Sequence, residues 1–266
     1  MRGLLTAAAL FFVSLDSAAA APRVVSLDPC ADQYVLALSP RAAIAGLSFR
    51  AEAGDSYLRA LAHGLPKRRA TLETLIAVQP QVVVREWGGD PSLVRRLQSS
   101  GVRVVSLDDA NDFAGVRANV RAAAAALGAP ERGEALIADM NRKLVEAGSR
   151  PSKRTVAYLT PGGATAGPGT LVDAMLTAAG LNNAQIRPGY GVLSPERLAF
   201  APPQALVLGF FDAFALGRSW WGPERSGVMK AAAKQQALAS LPGAVLACPA
   251  WFTADGALTL SKAARS

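Results

Sequence analysis

The sequence predicts an α/β protein of two lobes, each built on a central parallel sheet and joined through a helical middle segment. Three observations carry that prediction. Short apolar runs with strand character alternate with helical stretches in both halves of the chain, the pattern of parallel βα units. From Asn111 to about Gly148 a long Ala-rich helical region interrupts the alternation. An element of the form Glu-x-Leu-x4-Pro-Gln then occurs once on each side of that region, at Glu73 to Gln81 and at Glu196 to Gln204.

The elements follow in order. With 266 residues and 51% hydrophobic side chains, the chain can build two lobes of roughly 100–150 residues each. Residues 1–20 read as a secretory signal: Arg2 is the positive start, Leu4 to Val13 the apolar run, and Ala18-Ala19-Ala20 the small-residue site, placing cleavage near Ala20. A short membrane anchor is the alternative, although the run is shorter than the roughly 20 residues of a span. An exported, periplasmic protein is expected. Residues 21–110 form the first lobe, with strands at Arg23–Leu27, Ala43–Leu47, Val82–Val84 and Val102–Leu107, and helices at Ala31–Leu38, Leu72–Val78 and Pro91–Ser99. Residues 111–150 form a stiff helical connector, bent or interrupted at Gly128-Ala129-Pro130. Residues 151–266 form the second lobe, with strands at Thr155–Leu159, Ala205–Leu208 and Ala244–Ala247.

Composition and motifs then narrow the function class. Without the signal, 27 basic residues face 19 acidic ones, but only Lys67-Arg68-Arg69 is clustered and no nucleic-acid motif accompanies it. There is no Gly-x-Ser-x-Gly elbow, HExxH or Walker loop, and the only histidine, His63, stands outside any motif. A binding protein, not an enzyme, is the expectation, with no catalytic residue, cofactor or resident metal. In the repeated element, each Glu falls in a first helical turn, where the helix dipole favours negative charge. Capping alone and a paired functional role are both open readings of Glu73 and Glu196.

Arg23-Val-Val-Ser-Leu-Asp-Pro, Gly46-Leu-Ser, Leu72-Glu73 through Pro80-Gln-Val-Val-Val, Trp87-Gly-Gly, Ser194-Pro-Glu196-Arg-Leu and Pro203-Gln-Ala-Leu-Val together resemble the vitamin B12 and iron-siderophore periplasmic binding proteins of ABC importers. The resemblance spans essentially the whole chain after the signal. It implies two Rossmann-like lobes, a single long connecting helix and a ligand cleft between the lobes. It also implies that Glu73 and Glu196, one per lobe, dock onto arginines of an inner-membrane permease. The expected cargo is a bulky metal chelate, cobalamin or a ferric siderophore, carried by a monomer with no nucleic-acid partner. A periplasmic sensor or metal-binding accessory protein on the same fold is the alternative.

Ligands of open parallel sheets bind beyond the carboxyl ends of the strands. That rule selects the segments Asp28–Ala31, Phe49–Arg50, Glu86–Gly89, Thr160–Ala164, Gly209–Phe214 and Cys248–Phe252, and within them Cys30, Phe49, Trp87, Phe211, Trp251 and Phe252; the resemblance adds Tyr190. Ordinary core packing is the competing reading of each aromatic. Lys67-Arg68-Arg69, if it faces the cleft, favours an anionic ligand. Cys30 and Cys248 both follow predicted strand ends, one per lobe. A disulfide, a pair of soft metal ligands and two buried thiols are all compatible with their spacing. The fourteen residues after Phe252 are too few for the full closing helix that the resemblance implies.

Overall fold

Polar side chains at helix starts set most of the boundaries in this chain. The computed structural model describes residues 21–214 and 227–265, so the expected signal segment lies outside the described residues. The first lobe runs β1 (Val24–Ser26), α1 (Pro29–Leu38), β2 (Ile44–Gly46), α2 (Arg59–Ala62), α3 (Leu72–Val78), β3 (Val82–Arg85), α4 (Pro91–Ser99), β4 (Arg103–Ser106) and α5 (Phe113–Ala126). The long helix α6 (Pro130–Gly148) leads to β5 (Thr155–Leu159), β6 (Ala164–Ala166), α7 (Leu171–Ala178), β7 (Asn182–Asn183), β8 (Tyr190–Val192), α8 (Pro195–Phe200), β9 (Ala205–Gly209), α9 (Phe211–Phe214), α10 (Gly227–Gln235), β10 (Ala237–Leu241), α11 (Gly243–Leu246) and α12 (Thr253–Ala263). Asp28, Thr71, Asp90, Asp112, Thr170 and Ser194 each cap a helix by accepting a first-turn backbone N–H. Pro follows at the first helical position after Asp28, Asp90 and Ser194, where its missing N–H costs nothing.

The first sheet has the order β2-β1-β3-β4 and the second β10-β9-β5-β7, and every pairing in both is parallel. Period-two alternation divides each sheet between two cores. In the first, Val25 and Val83 face an outer core with Leu75 and Leu93 of α3 and α4, whereas Val24, Val82 and Val84 face inward. In the second, Ala157, Leu206 and Leu208 meet Leu198 and Met229 of α8 and α10, whereas Val156, Tyr158 and Val207 face inward. The inward faces belong to one continuous core that runs through α1, α5, α6, α7 and α12. The lobes are therefore not separate bodies on a hinge. They share apolar packing along one side.

The expected helical connector is two helices. Gly128, at φ +68°, ends α5, and Pro130 starts α6, which alone passes from lobe to lobe. The expected strand at Ala244–Ala247 is wrong: Pro242 ends β10 and precedes the short helix α11. A four-residue apolar run does not distinguish strand from helix, and the actual strand, Ala237–Leu241, is masked by alanine and serine. The tail forms α12, eleven residues packed against α6 and α7.

Residues 247–255 clasp the first lobe. Cys30 at the start of α1 is disulfide-bonded to Cys248 across 218 residues of sequence. The Tyr34 hydroxyl donates to the Pro249 carbonyl (2.7 Å), and the Tyr57 hydroxyl donates to Asp255 (2.5 Å). Trp251 packs edge-on to Tyr34 at 5.4 Å, and Phe252 stacks on Tyr57 at 4.2 Å. A bridge closing so long a loop contributes about 2–5 kcal/mol, chiefly by restricting the unfolded chain. Cys30→Ala/Cys248→Ala should lower the urea midpoint accordingly, and reductant should shift the wild type to the same value. Equal midpoints for oxidised and reduced wild type would mean that the aromatic clasp alone holds the lobes.

Candidate functional site

The first sheet ends at a buried carboxylate. Asp28, 1% exposed, follows β1, and each of its oxygens accepts two backbone N–H groups. Oδ1 takes those of Cys30 (3.1 Å) and Ala31 (2.9 Å) at the start of α1. Oδ2 takes those of Glu86 (2.7 Å) and Gly88 (3.0 Å) in the loop after β3. That loop turns at Gly88 and Gly89: a Cβ on Gly88 would lie 2.5 Å from the Leu27 carbonyl oxygen, and Gly89 has φ +77°. The turn leaves Trp87 pointing outward, 63% exposed.

Between the lobes lies a cavity of about 200 Å³. Its first-lobe wall carries Glu86, Trp87, Asp109, Ala110 and Asn111, and its second-lobe wall Leu171, Val172, Met175 and Tyr190. The Cys30–Cys248 bridge and residues 246–249 form its base. Tyr190, 70% exposed, belongs to the antiparallel pair β6–β8. It also borders an outer hollow of about 560 Å³ lined by Ile186, Arg187, Val192 and Arg197. Among the described residues, the carboxyl groups of Glu86 and Asp109 have no hydrogen bond or ion pair, and no cation lines the inner cavity. Burial, then the charges of Asp28 and Asp109, push Glu86 up to about 7. Burial, with Asp109 facing it, also raises the Tyr190 hydroxyl.

Of the residues expected at the cleft, Cys30, Trp87 and Tyr190 line this cavity together with Cys248. Four others do not. Trp251 and Phe252, 6% and 1% exposed, are interlobe core against Tyr34 and Tyr57. They were selected by a strand at Ala244–Ala247 that does not exist. Phe211 packs on the outer core of the second lobe. Phe49 is exposed beside the Arg69 guanidinium, 6.0 Å from its ring centre, and outside the cavity. The basic trio is engaged within its own lobe: Lys67 pairs with Glu52, and Arg68 donates to the Ala45 carbonyl. It gives no support to an anionic ligand. His63 is an exposed partner of Glu52. The disulfide removes the soft-ligand reading of the cysteines, because a bridged sulfur is not a thiolate. Asp28, Cys30 and Glu86 do bring ligand-type atoms within 4.8 Å of one another, but both Asp28 oxygens are occupied by backbone N–H groups. Only Glu86 is left to bind anything. The strand-end rule reaches Asp28 and Glu86 as members of cleft segments without giving either a role, and it misses Asp109. The Asp-Pro pair after a strand is a legible cap signal for Asp28, whereas nothing local marks the other two.

The repeated element has one architecture in both lobes. Thr71 and Ser194 cap α3 and α8, and Glu73 and Glu196 stand exposed in their first turns. Leu75 and Leu198 are buried. The Gln of each copy ties down the strand that opens its lobe. Gln81 Oε1 accepts the Arg23 N–H before β1 (2.8 Å), and Gln204 Oε1 accepts the Thr155 N–H of β5 (2.9 Å). Neither Glu is needed for these contacts. Exposed Ile76 and Phe200 lie one turn beyond Glu73 and Glu196 on the same helices.

Two outcomes follow for the first-lobe wall. Asp28→Asn replaces an oxygen that accepts two N–H groups by a donor, leaving buried donors unmatched at about 1–3 kcal/mol. Urea denaturation should show that loss, and Trp87 fluorescence should become more mobile. Retention of full stability would mean the loop holds itself. For Glu86, the folded form binds its proton more tightly than the unfolded chain does. The contribution of Glu86 to stability therefore falls as pH rises from about 4.5 to about 7, then levels off. Glu86→Gln cannot ionise, so its Tm relative to wild type should climb between pH 5 and pH 8. A constant difference would show that Glu86 has an ordinary carboxyl.

Comparisons with known proteins place this geometry. A family profile described as periplasmic binding protein matches residues 24–210. A cobalamin-binding protein of Halobacterium salinarum is 28% identical over 210 residues, covering 74% of this chain and 56% of that protein. The chain thus matches little more than half the length of that relative. Among solved structures, the periplasmic haem-binding protein HutB of Vibrio cholerae superposes with a TM-score of 0.72 at 17% identity, over 91% of this chain and 98% of the other. The periplasmic vitamin B12-binding protein BtuF of Vibrio cholerae superposes with a TM-score of 0.64 at 20% identity, over 93% and 99%. At such identities the structures establish the two-lobed fold alone. No helix among the described residues is long and apolar enough to cross a membrane. The profile match covers most of the chain, and with it the chain belongs to the periplasmic binding protein family.

Proposed function

We propose that this chain is the solute-binding component of an ABC importer and captures a bulky metal chelate, a cobalamin or a ferric siderophore, for delivery to a permease. The observation that carries the reading is the pair of exposed aromatic rings, Trp87 and Tyr190, on opposite walls of one interlobe cavity. Flat hydrophobic rings left in water on two facing walls suit a flat, bulky ligand. The inner cavity, at about 200 Å³, is below the usual range of roughly 300–1,000 Å³ for whole-ligand pockets. A chelate would enter edge-first and rest its remainder over Tyr190 in the outer hollow. Haem, the other chelate named among the structural neighbours, would have to use Tyr190 as its axial ligand, since the only histidine lies outside the cavity lining.

Delivery rests on Glu73 and Glu196. Each is exposed, one is on each lobe, and each has an apolar neighbour, Ile76 or Phe200, on the same helix. A carboxylate beside an apolar side chain suits a partner surface presenting arginines, with charge pairs fixing orientation more than affinity. A sensor on the same fold would need the cavity but not this paired surface. Glu73→Ala/Glu196→Ala should abolish chelate uptake in cells while ligand binding by the purified protein stays unchanged. Normal uptake by that double variant would sink the docking reading and favour the sensor.

A further inference from the structure

The walls of the inner cavity differ from the surface of the protein in one respect. The chain carries a formal net charge of +8, yet the charged groups on the cavity lining are Glu86 and Asp109 alone. The two come from successive strand-end loops of the first lobe. Both are unpaired among the described residues, and buried Asp28 adds a third acidic group behind Glu86. The basic side chains that might offset them are elsewhere. Lys67 is paired with Glu52, and Arg68 is held at Ala45. Arg85 donates to the carbonyls of Gly88 and Gly89, and Arg187 and Arg197 border the outer hollow beyond Tyr190. Asn111, Thr253 and the Tyr190 hydroxyl complete the polar lining.

Resting on the chelate-capture reading above, we infer that Glu86 and Asp109 select the ligand by the chemistry of its rim, accepting a chelate edged with neutral or cationic hydrogen-bond donors and rejecting one edged with carboxylates or catecholates. The cavity is large enough for an edge and its substituents, so rim chemistry is what meets the two carboxyl groups. An amide-rimmed corrinoid offers N–H donors to both. A carboxylate-rimmed porphyrin brings anions against two unpaired acids, the half-buried Glu86 and the exposed Asp109, and like charges placed in contact repel. The position of Glu86 reinforces the selection. In its neutral form it both donates to and accepts from an amide, and in its charged form it accepts from two donors. In neither form does it supply the cation that an anionic rim needs.

Cyanocobalamin and haemin separate these cases, with binding followed by absorbance and calorimetry at pH 8. The wild type should bind cyanocobalamin at least about tenfold more tightly than haemin, the usual scale of one charge-assisted hydrogen bond gained or lost. Glu86→Gln/Asp109→Asn should narrow or erase that ratio, and Glu86→Arg should reverse it by adding a cation. The Trp87 loop is held by Asp28 and not by the Glu86 side chain, so these variants keep the fold, which circular dichroism checks. Haemin bound as tightly as cyanocobalamin, with a ratio unmoved by all three substitutions, would overturn the selection while leaving chelate capture intact. Binding of neither probe, nor of a ferric hydroxamate siderophore, by wild type or variants, would overturn chelate capture and the selection with it.

Discussion

One carboxylate organises the first half of this protein. Asp28 stops β1, starts α1 and holds the loop after β3, and it does so with both oxygens fully used. A buried carboxylate is costly to desolvate, and four backbone N–H donors are the means by which its burial becomes tolerable. The same four contacts place Cys30 at the foot of the cavity and Trp87 at its mouth. The cap alone would hold Cys30, but the Trp87 loop depends on the second oxygen, which a mere helix cap would leave free. The fold and the site are therefore coupled through it, because β1 and β3 are adjacent in the sheet and their strand ends share one acceptor.

The second constraint acts across the lobes. In a binding protein built as two independent bodies, the ligand would pull them together and be reported by their approach. Here the Cys30–Cys248 bridge, the Tyr34–Trp251 and Tyr57–Phe252 contacts and a continuous core fix the lobes on the side of α6 and α12. A preformed cleft of this kind loses little entropy on binding and gains little from closure, so its affinity depends on the lining residues more than on movement.

Most of the fold was legible because strand and helix boundaries in this chain coincide with strong local chemistry. Leu72–Val78 and Pro91–Ser99 were readable from their caps, prolines and apolar spacing, and Val82–Val84 and Thr155–Leu159 from their β-branched runs. Ala237–Leu241 was not, since alanine and serine carry little strand signal, and the neighbouring Gly-Ala-Val-Leu run was misread in its place. That single misreading moved the strand-end rule onto Trp251 and Phe252, which belong to the interlobe clasp. The short antiparallel pair that carries Tyr190 left no pattern of its own, and its residue was found by resemblance. The cysteines could not be assigned from spacing, because 218 residues of separation say nothing of proximity. The role of Glu86 and the presence of Asp109 were illegible for a related reason: they are ordinary residues made unusual only by what the fold places beside them.

The contrast between whole-chain and local charge follows from the same point. A net positive protein invites the inference of an anionic ligand, and Lys67-Arg68-Arg69 seemed to supply its site. Net charge, however, sets long-range attraction and solubility, whereas the potential inside a cavity depends on the few groups that border it. Solvent screens the exposed lysines and arginines within about 8–10 Å, while groups in a narrow cleft are screened far less. The basic trio forms contacts within its own lobe, and the cavity is left with two acids, an amide, a phenol, an indole and a threonine hydroxyl. A positive exterior can draw a chelate with an anionic portion towards the protein, and the interior then decides which edge of it may enter. The two fields act at different ranges, so they need not agree in sign.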